Sequence, residues 1–404
     1  MRILYTVQRY GESIVGGSEN ACRAFAENLV AVGHQVEVIT SCATDYRTWE
    51  NELAPGTSVL NGVTVHRLPV TSPRTESEFS PYQRRTFFGP RPISTEFQRT
   101  WAEVMGPSLQ GYPEWLLQNY SRFDVAVCMT YLYYTTTAAL PVLYQRLPLV
   151  MQPTAHNESE IWLSLFDFLF SIPDGFLFLT PEEQDLVRKR FKSEPRGQVV
   201  GIGFQQSSTE ISTSPLTTHA LRPFEYLVYV GRNDSAKGLP LLIDYFLVYK
   251  AKNNSELKLL IVGEDPKQQD DSDSIIYTGY VTESEKLSLI HSSLALVQPS
   301  YFESFSIVLC EAWSQKRPVL VQEKNDVLVG QTQRANGGLS FSTYSDFEIA
   351  VNYLLSHPEE STEMGAWGYT YVNELYTWES VISKAEVVLS DAVDNFNRVK
   401  NSAT

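Results

Sequence analysis

The chain opens with MRILYTVQRYGESIVGGSENACRAFAENLVAVGHQVEVIT, residues 1–40, and this stretch contains one complete strand–helix–strand unit. The run Arg2–Val7 has the length and apolar content of a buried strand, and Gln35–Thr40 repeats the pattern. Between them, four apolar side chains recur at helical spacing: Ala21, Phe25, Leu29 and Val32. Ser18 is the predicted N-cap of this helix and Gly33 its predicted end. The unit therefore predicts a parallel sheet with a helix packed against it.

Runs of the same kind follow along the rest of the chain, with helical spacing between them. In the first half they are Val63–Leu68, Asp124–Thr130, Pro148–Pro153, Gly175–Thr180 and Gln198–Ile202. In the second half they are Tyr226–Gly231, Lys258–Gly263, Ile275–Thr278, Leu294–Pro299, Pro318–Gln322 and Leu339–Phe341. Because these runs lack polar alternation, they are typical of strands buried on both faces of a parallel sheet. The alternation predicts an α/β protein built from successive strand–helix–strand units.

One segment interrupts the pattern near the middle of the chain. Residues Phe204–Arg222 are rich in Ser and Thr and show no periodicity, which is typical of an exposed linker. We therefore expect an N-terminal domain over 1–204, a linker over 205–222 and a C-terminal domain over 223–379. The helical pattern at about 380–404 is expected to join the first domain. Two doubly wound, Rossmann-like domains of this kind are expected to face each other across a cleft, where the carboxyl ends of their strands bind ligands.

The composition limits the classes of function. A net charge of -15 over 404 residues, with a pI near 4.9, disfavours nucleic acid as a partner, because its phosphates need a basic surface. The four cysteines lie far apart without metal-ligand spacing, so buried, reduced thiols are expected. No apolar stretch approaches the roughly 20 residues of a membrane-spanning helix, and the chain opens without a cationic leader. A cytoplasmic protein is expected.

The stretch Thr71–Arg99 carries no strand pattern. It places several arginines beside Phe87 and Phe88, namely Arg74, Arg84, Arg85, Arg91 and Arg99. A solvated insertion is expected here. An acceptor loop or a weak contact with a membrane surface is the alternative, so any membrane contact is expected to be peripheral.

The strongest chemical signal is PSYFESFSIVLCEAWSQKRPV, residues 299–319, in which Glu303 and Glu311 lie eight positions apart. A helix beginning near Ser304 or Ser306, with either serine as its cap, would separate the two carboxylates by about 12 Å. That is roughly the reach from a sugar past a diphosphate to a ribose. Free amides at the helix start would bind an anion between the carboxylates. Two glutamates on an ordinary amphipathic helix are the alternative interpretation.

The segment GRNDSAKG, residues 231–238, directly follows a predicted strand. Arg232 and Lys237 in this glycine-flanked turn suit a diphosphate leaving group. The segment is neither a Walker loop nor a dinucleotide-binding fingerprint, because the spacing of both is absent. Exposed cations are common in turns, so this signal alone is weak.

Three further features have both a functional and a structural interpretation. His156 follows a predicted strand and would face the cleft, although taken alone it is slightly better explained as a structural histidine. Gly16 and Gly17 permit close approach of the backbone to a phosphate or sugar, or form a plain turn. The triplet Asp271–Asp273 could suggest a metal, but it lies in a polar run between strands. We interpret the triplet as a solvated loop and expect no metal.

In this order, the signals resemble glycosyltransferase family 4, which has the GT-B fold. The resemblance runs from Met1 through Trp378, essentially the whole chain. Its motifs are Gly16-Gly17, Gly33-His34, His156, Gly231-Arg232, Lys237-Gly238, Gly263-Glu264, Gly279-Tyr280-Val281, the Glu303 and Glu311 pair, and Pro318-Val319. The chain departs from the family where Ser306 and Lys316 stand at positions that are often glycine, and Ser306 could narrow the space beside the phosphates.

The resemblance implies a retaining, metal-independent glycosyltransferase that uses no cofactor. It implies transfer of a hexose, glucose first, from a nucleotide diphosphate sugar, with UDP favoured, to a glycan, lipid-linked or small-molecule acceptor. Glu303 would contact the sugar, Glu311 the ribose, Arg232 and Lys237 the diphosphate, and His156 would lie beside the reacting sugar. The other implied donor-binding residues are Gly16, Gly17, Gly231, Gly263, Tyr280, Val281, Ser304, Phe305, Ser306 and Ile307, with Tyr280 and Val281 at the base.

Other functions remain open at this point. A non-catalytic nucleotide-sugar-binding protein or a GT-B epimerase would keep the same motifs. A phosphorylase-like enzyme would need a lysine for its cofactor, and no motif for one is present. A two-lobed solute-binding protein is disfavoured by the Arg232 and Lys237 pair and by the lack of a secretion signal.

Overall fold

The computed structural model describes residues 1–14, 16–204, 211–233, 235–263 and 272–403. The chain divides into two compact units. The first unit contains Met1–Gly203 and Trp378–Thr404, and the second contains Phe204–Thr377. These divisions fall close to the predicted domain ends at 204 and 379. Within the predicted linker, residues 205–210 lie outside the described part, and Ser214–Thr218 forms a short helix.

Fourteen strands are present in the described part of the chain. The first unit contains β1 (Arg2–Thr6), β2 (Gln35–Ser41), β3 (Gly56–Leu60), β4 (Val63–Leu68), β5 (Val125–Met129), β6 (Leu149–Gln152), β7 (Gly175–Phe178) and β8 (Gly197–Val199). The second contains β9 (Tyr226–Gly231), β10 (Lys258–Gly263), β11 (Ile275–Gly279), β12 (Ala295–Gln298), β13 (Val319–Gln322) and β14 (Gly338–Phe341). Each unit therefore has its own sheet.

The α-helices, in chain order, are α1 (Gly17–Ala31), α2 (Glu76–Phe88), α3 (Thr95–Met105), α4 (Tyr112–Asn119), α5 (Tyr134–Thr137), α6 (Ala139–Leu143), α7 (Leu165–Leu169), α8 (Pro181–Phe191), α9 (Ser214–Thr218), α10 (Leu239–Asn253), α11 (Glu283–His291), α12 (Ile307–Ser314), α13 (Asp326–Ala335), α14 (Tyr344–Ser356), α15 (Pro358–Leu375) and α16 (Trp378–Ala403). None of the helices in the described residues is both long and apolar enough to cross a membrane.

Both sheets are parallel through their central strands. The first has the order β3-β4-β2-β1-β5-β6-β7-β8, and the second has the order β11-β10-β9-β12-β13-β14. Strands β1, β5 and β6 are almost completely buried, as are β9 and β10 over most of their length. Parallel strands buried on both faces need helices on each side. The predicted α/β architecture of two doubly wound units is therefore confirmed.

Every predicted strand is present, but the sequence analysis missed β3. This strand is the antiparallel partner of β4 at the edge of the first sheet. Its residues are almost all exposed, with Val59 70% exposed. An edge strand without a buried face has no apolar run, so the pattern that identified the other strands could not detect it.

The predicted cap of α1 is wrong. Gly16 occupies the N-cap position, and no side chain in the described residues caps the helix. Instead, the Ser18 hydroxyl donates to the Glu19 carboxylate at 2.8 Å. The predicted end is confirmed, because α1 stops at Ala31 and Gly33 has a φ of 99°, which favours glycine.

The stretch Thr71–Arg99 is largely exposed, as expected of a solvated insertion, but it is helical and part of it packs on the core. It forms α2 and the start of α3, and its Phe79, Tyr82 and Phe87 side chains pack against the buried core of the first unit. The Phe87 ring meets Trp101 edge-on at 5.6 Å. Phe88, by contrast, is 85% exposed, so part of the apolar surface of this stretch faces solvent. Proline and arginine residues in the stretch hid this packing from the sequence pattern.

Helix α16 packs against the first sheet. Gly175, at the start of β7, faces Val388 and Ala392, and a Cβ at this glycine would lie 3.2 Å from the Val388 side chain. Trp378 meets Phe25 of α1 edge-on at 5.4 Å. The last helix of the chain thereby covers one face of the sheet formed by its first half.

We predict that Leu389→Ala destabilises the first unit because Leu389 is fully buried in this helix. Removing a buried leucine side chain typically costs about 2–5 kcal/mol. Val387→Ala is the control, since Val387 is 45% exposed on the same helix. Thermal unfolding followed by circular dichroism should show a clearly lower midpoint for the transition of the first unit in Leu389→Ala alone. Equal midpoints in the two variants would contradict the packing of α16.

Candidate functional site

In the second unit, the loops after β9 and β12 lie against each other. The backbone amide of Tyr301 donates to the Ala236 carbonyl at 3.2 Å. Gly238 has a φ of 72°, and a Cβ at this position would lie 2.2 Å from the Pro299 carbonyl oxygen. Both facts require glycine, because other residues strain at this φ and a side-chain atom would collide with the backbone. The two predicted motifs are thus joined at the carboxyl ends of neighbouring strands.

This close approach places Lys237 beside Glu303. The Lys237 ammonium lies 2.6 Å from the Glu303 carboxylate, although the residues are 66 positions apart in sequence. The Lys237 side chain is 24% exposed and that of Glu303 is 11% exposed. A partly buried ion pair of this kind holds its two charges in a fixed orientation. Two residues that the sequence analysis chose separately therefore form one site.

Glu311 is paired with a different lysine. Its carboxylate accepts a hydrogen bond from the Lys286 ammonium at 2.8 Å, and Lys286 also lies 2.8 Å from Glu283. Burial raises the pKa of the Glu311 carboxyl, although the neighbouring Lys286 opposes this effect. Burial lowers the pKa of Lys286, but Glu311 and Glu283 outweigh it, so the pKa is raised overall. The second carboxylate oxygen of Glu311 is buried and has no hydrogen-bond partner among the described residues.

Lys286 is a site residue that the sequence analysis missed. It lies on α11, which begins with a capping box between Thr282 and Glu285. Nothing local distinguishes Lys286 from an ordinary surface lysine, since its partner Glu311 is 25 positions away. The pair between Lys286 and Glu311 can be identified only from the structure, in which α11 packs beside α12.

The 12 Å estimate assumed that Glu303 and Glu311 lie on one helix, but the helix begins only after Glu303. Helix α12 starts at Ile307 with Ser306 at the N-cap position, so Glu303 and Ser304 precede the helix. The predicted serine cap is wrong, because no side chain in the described residues caps α12. The Ser306 hydroxyl is buried without a hydrogen-bond partner there, and its amide donates to Gln331 at 3.3 Å.

The remaining predicted residues of the second unit lie along the same edge of the sheet. A Cβ at Gly263 would lie 2.2 Å from the Gly231 carbonyl oxygen, so the ends of β9 and β10 approach closely. The Arg232 carbonyl accepts a hydrogen bond from the Tyr229 hydroxyl at 2.7 Å. Tyr280 is 68% exposed, and Val281 next to it is half-buried. Glu264 and Asp271 lie outside the described residues.

Phe305 belongs to the core more than to the surface of the site. It is 7% exposed, and its ring meets Tyr376 edge-on at 5.1 Å. Its backbone lies between Glu303 and the first turn of α12. The contribution of Phe305 to a ligand is therefore expected to come from its backbone.

In the first unit, the Gly16-Gly17 turn lies over a buried ion pair. Arg9 and Glu19 are each 5% exposed, and two nitrogens of Arg9 donate to the same Glu19 oxygen at 2.9 and 2.6 Å. A Cβ at Gly16 would lie 2.3 Å from the other Glu19 oxygen. Gly16 is thus required by local packing. A Cβ at Gly17 would meet nothing within 4 Å among the described residues, so the backbone there is open.

His156 follows β6 in the first unit and is partly exposed. Its side chain is 27% exposed, and its Nδ1 atom lies 3.3 Å from the Glu158 carboxylate. The backbone amide before it, that of Ala155, donates to Glu183 at 2.6 Å. The sequence analysis selected neither glutamate. In the sequence, Glu158 is distinguished only by its position two residues after His156. Glu183 resembles any acidic residue in the first turn of a helix such as α8.

A cavity of about 790 Å³ lies elsewhere in the first unit. Its lining includes Leu149, Asp174 and Arg196, which lie at the amino ends of β6, β7 and β8. The predicted site residues lie at the carboxyl ends of strands. The cavity is therefore separate from the candidate site, although its volume would suit a small ligand.

The described residues contain no group of three or more His, Cys, Asp or Glu side chains that could hold a metal ion. The Asp271–Asp273 triplet falls partly outside them, since Asp271 is not described. Metal independence stays a prediction.

Comparison with known proteins identifies the class. Residues 221–370 match the family model described as glycosyl transferases group 1. An uncharacterized glycosyltransferase of Methanocaldococcus jannaschii is 22% identical over 98% of this chain and 100% of its own length. Sucrose-phosphate synthase from Thermosynechococcus elongatus has a TM-score of 0.68 at 16% identity, covering 100% of both chains. Anabaena HepE in complex with UDP and glucose has a TM-score of 0.70 at 12% identity, covering 96% of this chain and 99% of that one.

The fold is the GT-B fold, with two Rossmann-like α/β units, as the resemblance implied. The family match lies within the second unit, which contains the Lys237–Glu303 and Lys286–Glu311 pairs. Together, the family model and the related glycosyltransferase support the glycosyltransferase class of enzyme for this chain.

We predict that Gly238→Ala disrupts the contact between the two site loops. A left-handed φ costs a residue with a Cβ about 1–2 kcal/mol, and the 2.2 Å approach to Pro299 adds a steric cost. Gly17→Ala is the control, because it has open space and lies in a helix, where Ala is favoured over Gly. Thermal unfolding should show a lower midpoint for Gly238→Ala only. An unchanged midpoint would contradict the loop geometry.

Proposed function

We propose that this chain is a retaining, metal-independent glycosyltransferase of family 4. It transfers a hexose, glucose first, from a UDP-sugar to a glycan, lipid-linked or small-molecule acceptor. The observation that carries the proposal is the Lys237–Glu303 pair, at 2.6 Å, where the loops after β9 and β12 meet. Arg232 and the start of α12 lie in the same two loops.

The pair provides the two kinds of contact that a sugar diphosphate needs. The Lys237 ammonium can donate to a diphosphate oxygen, while the Glu303 carboxylate can accept hydrogen bonds from sugar hydroxyls. The Ser306 amide at the N-cap of α12 donates to Gln331, but the Ser306 side chain does not cap the amides that follow it in the described residues. Amides at a helix start favour anions, because the helix dipole is positive there. A diphosphate would therefore find a cation and open amides next to one carboxylate.

Glu311 is suited to the ribose end of the donor. One of its oxygens is held by Lys286 at 2.8 Å, and the other is buried without a partner among the described residues. An unsatisfied buried acceptor costs free energy that a donated hydrogen bond would recover. A ribose hydroxyl would provide that hydrogen. Tyr280 and Val281, which precede the same helix as Lys286, would lie at the base.

The chemistry proceeds without a metal in this proposal. Cleavage of the bond between the sugar C1 and the phosphate oxygen builds negative charge on the departing diphosphate. Lys237, Arg232 and the α12 amides would stabilise that charge. The acceptor hydroxyl forms the new bond to C1 from the same face, and its proton passes to the leaving phosphate oxygen. In the first unit, His156 would orient the reacting sugar, and the open backbone at Gly17 would line its site.

The choice of UDP is supported by a solved structure with a similar fold. The HepE structure that resembles this chain contains UDP and glucose. A cytoplasmic location is part of the proposal and is supported by the four cysteines, all free and buried.

The first experiment is a calorimetric and thermal-shift panel of UDP, GDP and ADP with their glucose or mannose conjugates, in the presence of EDTA. A ligand at a hundred times its dissociation constant adds about 2.7 kcal/mol of stability. The proposal expects UDP and UDP-glucose to stabilise the protein despite EDTA. If none of the nucleotides stabilises it, the donor site does not exist, and the proposal fails.

A matched pair of variants tests the site. Lys237→Met should lower turnover of UDP-glucose by about 10²- to 10³-fold, because one donor to the developing charge is lost. Lys252→Met is the control. Lys252 also forms a 2.6 Å pair, with Glu348, but its side chain is 60% exposed, so turnover should not change. Similar losses in both variants, or none in Lys237→Met, would refute the assignment of Lys237.

A further inference from the structure

The cavity at the amino ends of β6, β7 and β8 lies wholly within the first unit, because every residue that lines it belongs to that unit. Four parts of the chain line it: the start of β6, the loop from α7 into β7, the end of α8 with the loop into β8, and the last turns of α16. Its volume of about 790 Å³ falls within the range of small-molecule pockets in proteins. The proposed donor site uses none of these residues.

The walls of the cavity are mainly aromatic and aliphatic. The ring of Phe170 stacks on Phe191 with centroids 4.2 Å apart and on Phe176 at 6.1 Å. From α16, Phe396 and Val399 both line the cavity, and their spacing of three residues places them on one face of the helix. Val399 is 65% exposed. Apolar walls of this kind favour an apolar ligand over water, because binding removes their surface from solvent.

Cations surround this apolar space. Arg196 and Lys400 line the cavity, and Lys192 lines a shallower site of about 280 Å³ that shares Ser193 and Glu194 with it. All three cations are exposed. None of them forms a side-chain hydrogen bond or an ion pair with the residues that the structure describes. In a chain with a net charge of -15, such a group of cations without ion pairs favours an anionic ligand at this place.

The two carboxylates that line the cavity have other partners. Asp174 accepts the backbone amide of Leu149 at 2.9 Å. Burial raises the pKa of the Asp174 carboxyl, while the Leu149 amide and the charge of Arg196 oppose this effect. The Glu194 side chain is 85% exposed and lies 3.9 Å from Arg188. Within the described part of the chain, neither carboxylate forms an ion pair with a cation that lines the cavity.

We propose that this cavity binds a single-chain amphiphile with an anionic head. The apolar chain lies against Phe170, Phe191 and Val399, and the head contacts Arg196 and Lys400. The head is a carboxylate or a phosphate, since both accept hydrogen bonds from guanidinium and ammonium groups. This binding site does not depend on the proposed transfer reaction, because the two share no residue.

Calorimetric titration of the full-length protein with hexanoate, octanoate and decanoate, below the concentrations at which they form micelles, tests the apolar contact. Each added methylene should lower the dissociation constant by about fourfold while the chain is being buried. Decanol, which lacks the charge, should bind more weakly than decanoate or decyl phosphate, and the tighter of these two identifies the head. No binding of decanoate, affinity that is independent of chain length, or equal affinity for decanol would overturn the proposal.

A matched pair of variants locates the apolar chain. Val399→Asp places a carboxylate against the chain and should weaken decanoate binding by about tenfold or more, because a charge is costly beside an apolar ligand. Val387→Asp is the control, since Val387 is 45% exposed on the same helix and does not line the cavity. Melting temperatures should confirm that both variants fold, as expected at exposed positions. Equal decanoate affinity in the two variants would place the ligand elsewhere and refute the proposal.

A second pair locates the head. Arg196→Met should weaken decanoate binding by about three- to fivefold, as for an exposed ion pair, and leave decanol binding unchanged. Arg99→Met is the control, because Arg99 is an exposed arginine of the same unit that lies outside the cavity lining. Excess UDP should not displace decanoate. Displacement by UDP, or equal effects of the two arginine variants, would contradict a separate anionic-amphiphile site.

Discussion

The close approach between Gly238 and the carbonyl oxygen of Pro299 determines the geometry of the second unit's candidate site. Two loops that follow different strands can meet this closely only where a residue lacks a Cβ. The approach brings Lys237 to Glu303, and it places the turn after β9 beside the loop that leads into α12. The buried parallel strands below keep both loops at one edge of the sheet. The position of the site therefore depends first on backbone packing, and the charges of Lys237 and Glu303 are placed by that packing.

Charge then distinguishes the two glutamates of the motif. Glu303 lies before α12 and pairs with a lysine from the turn after β9, whereas Glu311 lies within the helix and pairs with a lysine from α11. Each carboxylate therefore has its own cation from a different neighbouring element. In the first unit, carboxylates take a different role, since Glu183 holds a loop amide and Glu158 faces a histidine. Under the proposed function, carboxylates would contact the ligand in the second unit, whereas in the first unit they hold local geometry.

The sequence predicted the features that depend on local pattern. Buried strands such as β5 and β10 are continuous apolar runs, and the end of α1 at Gly33 follows from backbone freedom. The exposed strand β3 has no such run and was missed. The predicted caps at Ser18 and Ser306 were wrong, because the Ser18 hydroxyl lies inside the helix and donates to its neighbour Glu19, and the Ser306 hydroxyl is buried without a partner among the described residues. Lys286 and Glu183 could not be found, since their importance depends on partners 25 and 28 positions away.

The central claim is that the second unit binds a sugar diphosphate between Lys237, Glu303 and the start of α12. A crystal structure of the protein soaked with UDP-glucose and EDTA tests this most directly. The account predicts diphosphate oxygens within hydrogen-bonding distance of the Lys237 ammonium and the first amides of α12, with sugar hydroxyls at Glu303 and ribose hydroxyls at Glu311. UDP-glucose bound away from these residues, for example in the cavity at the amino ends of β6, β7 and β8, would contradict it.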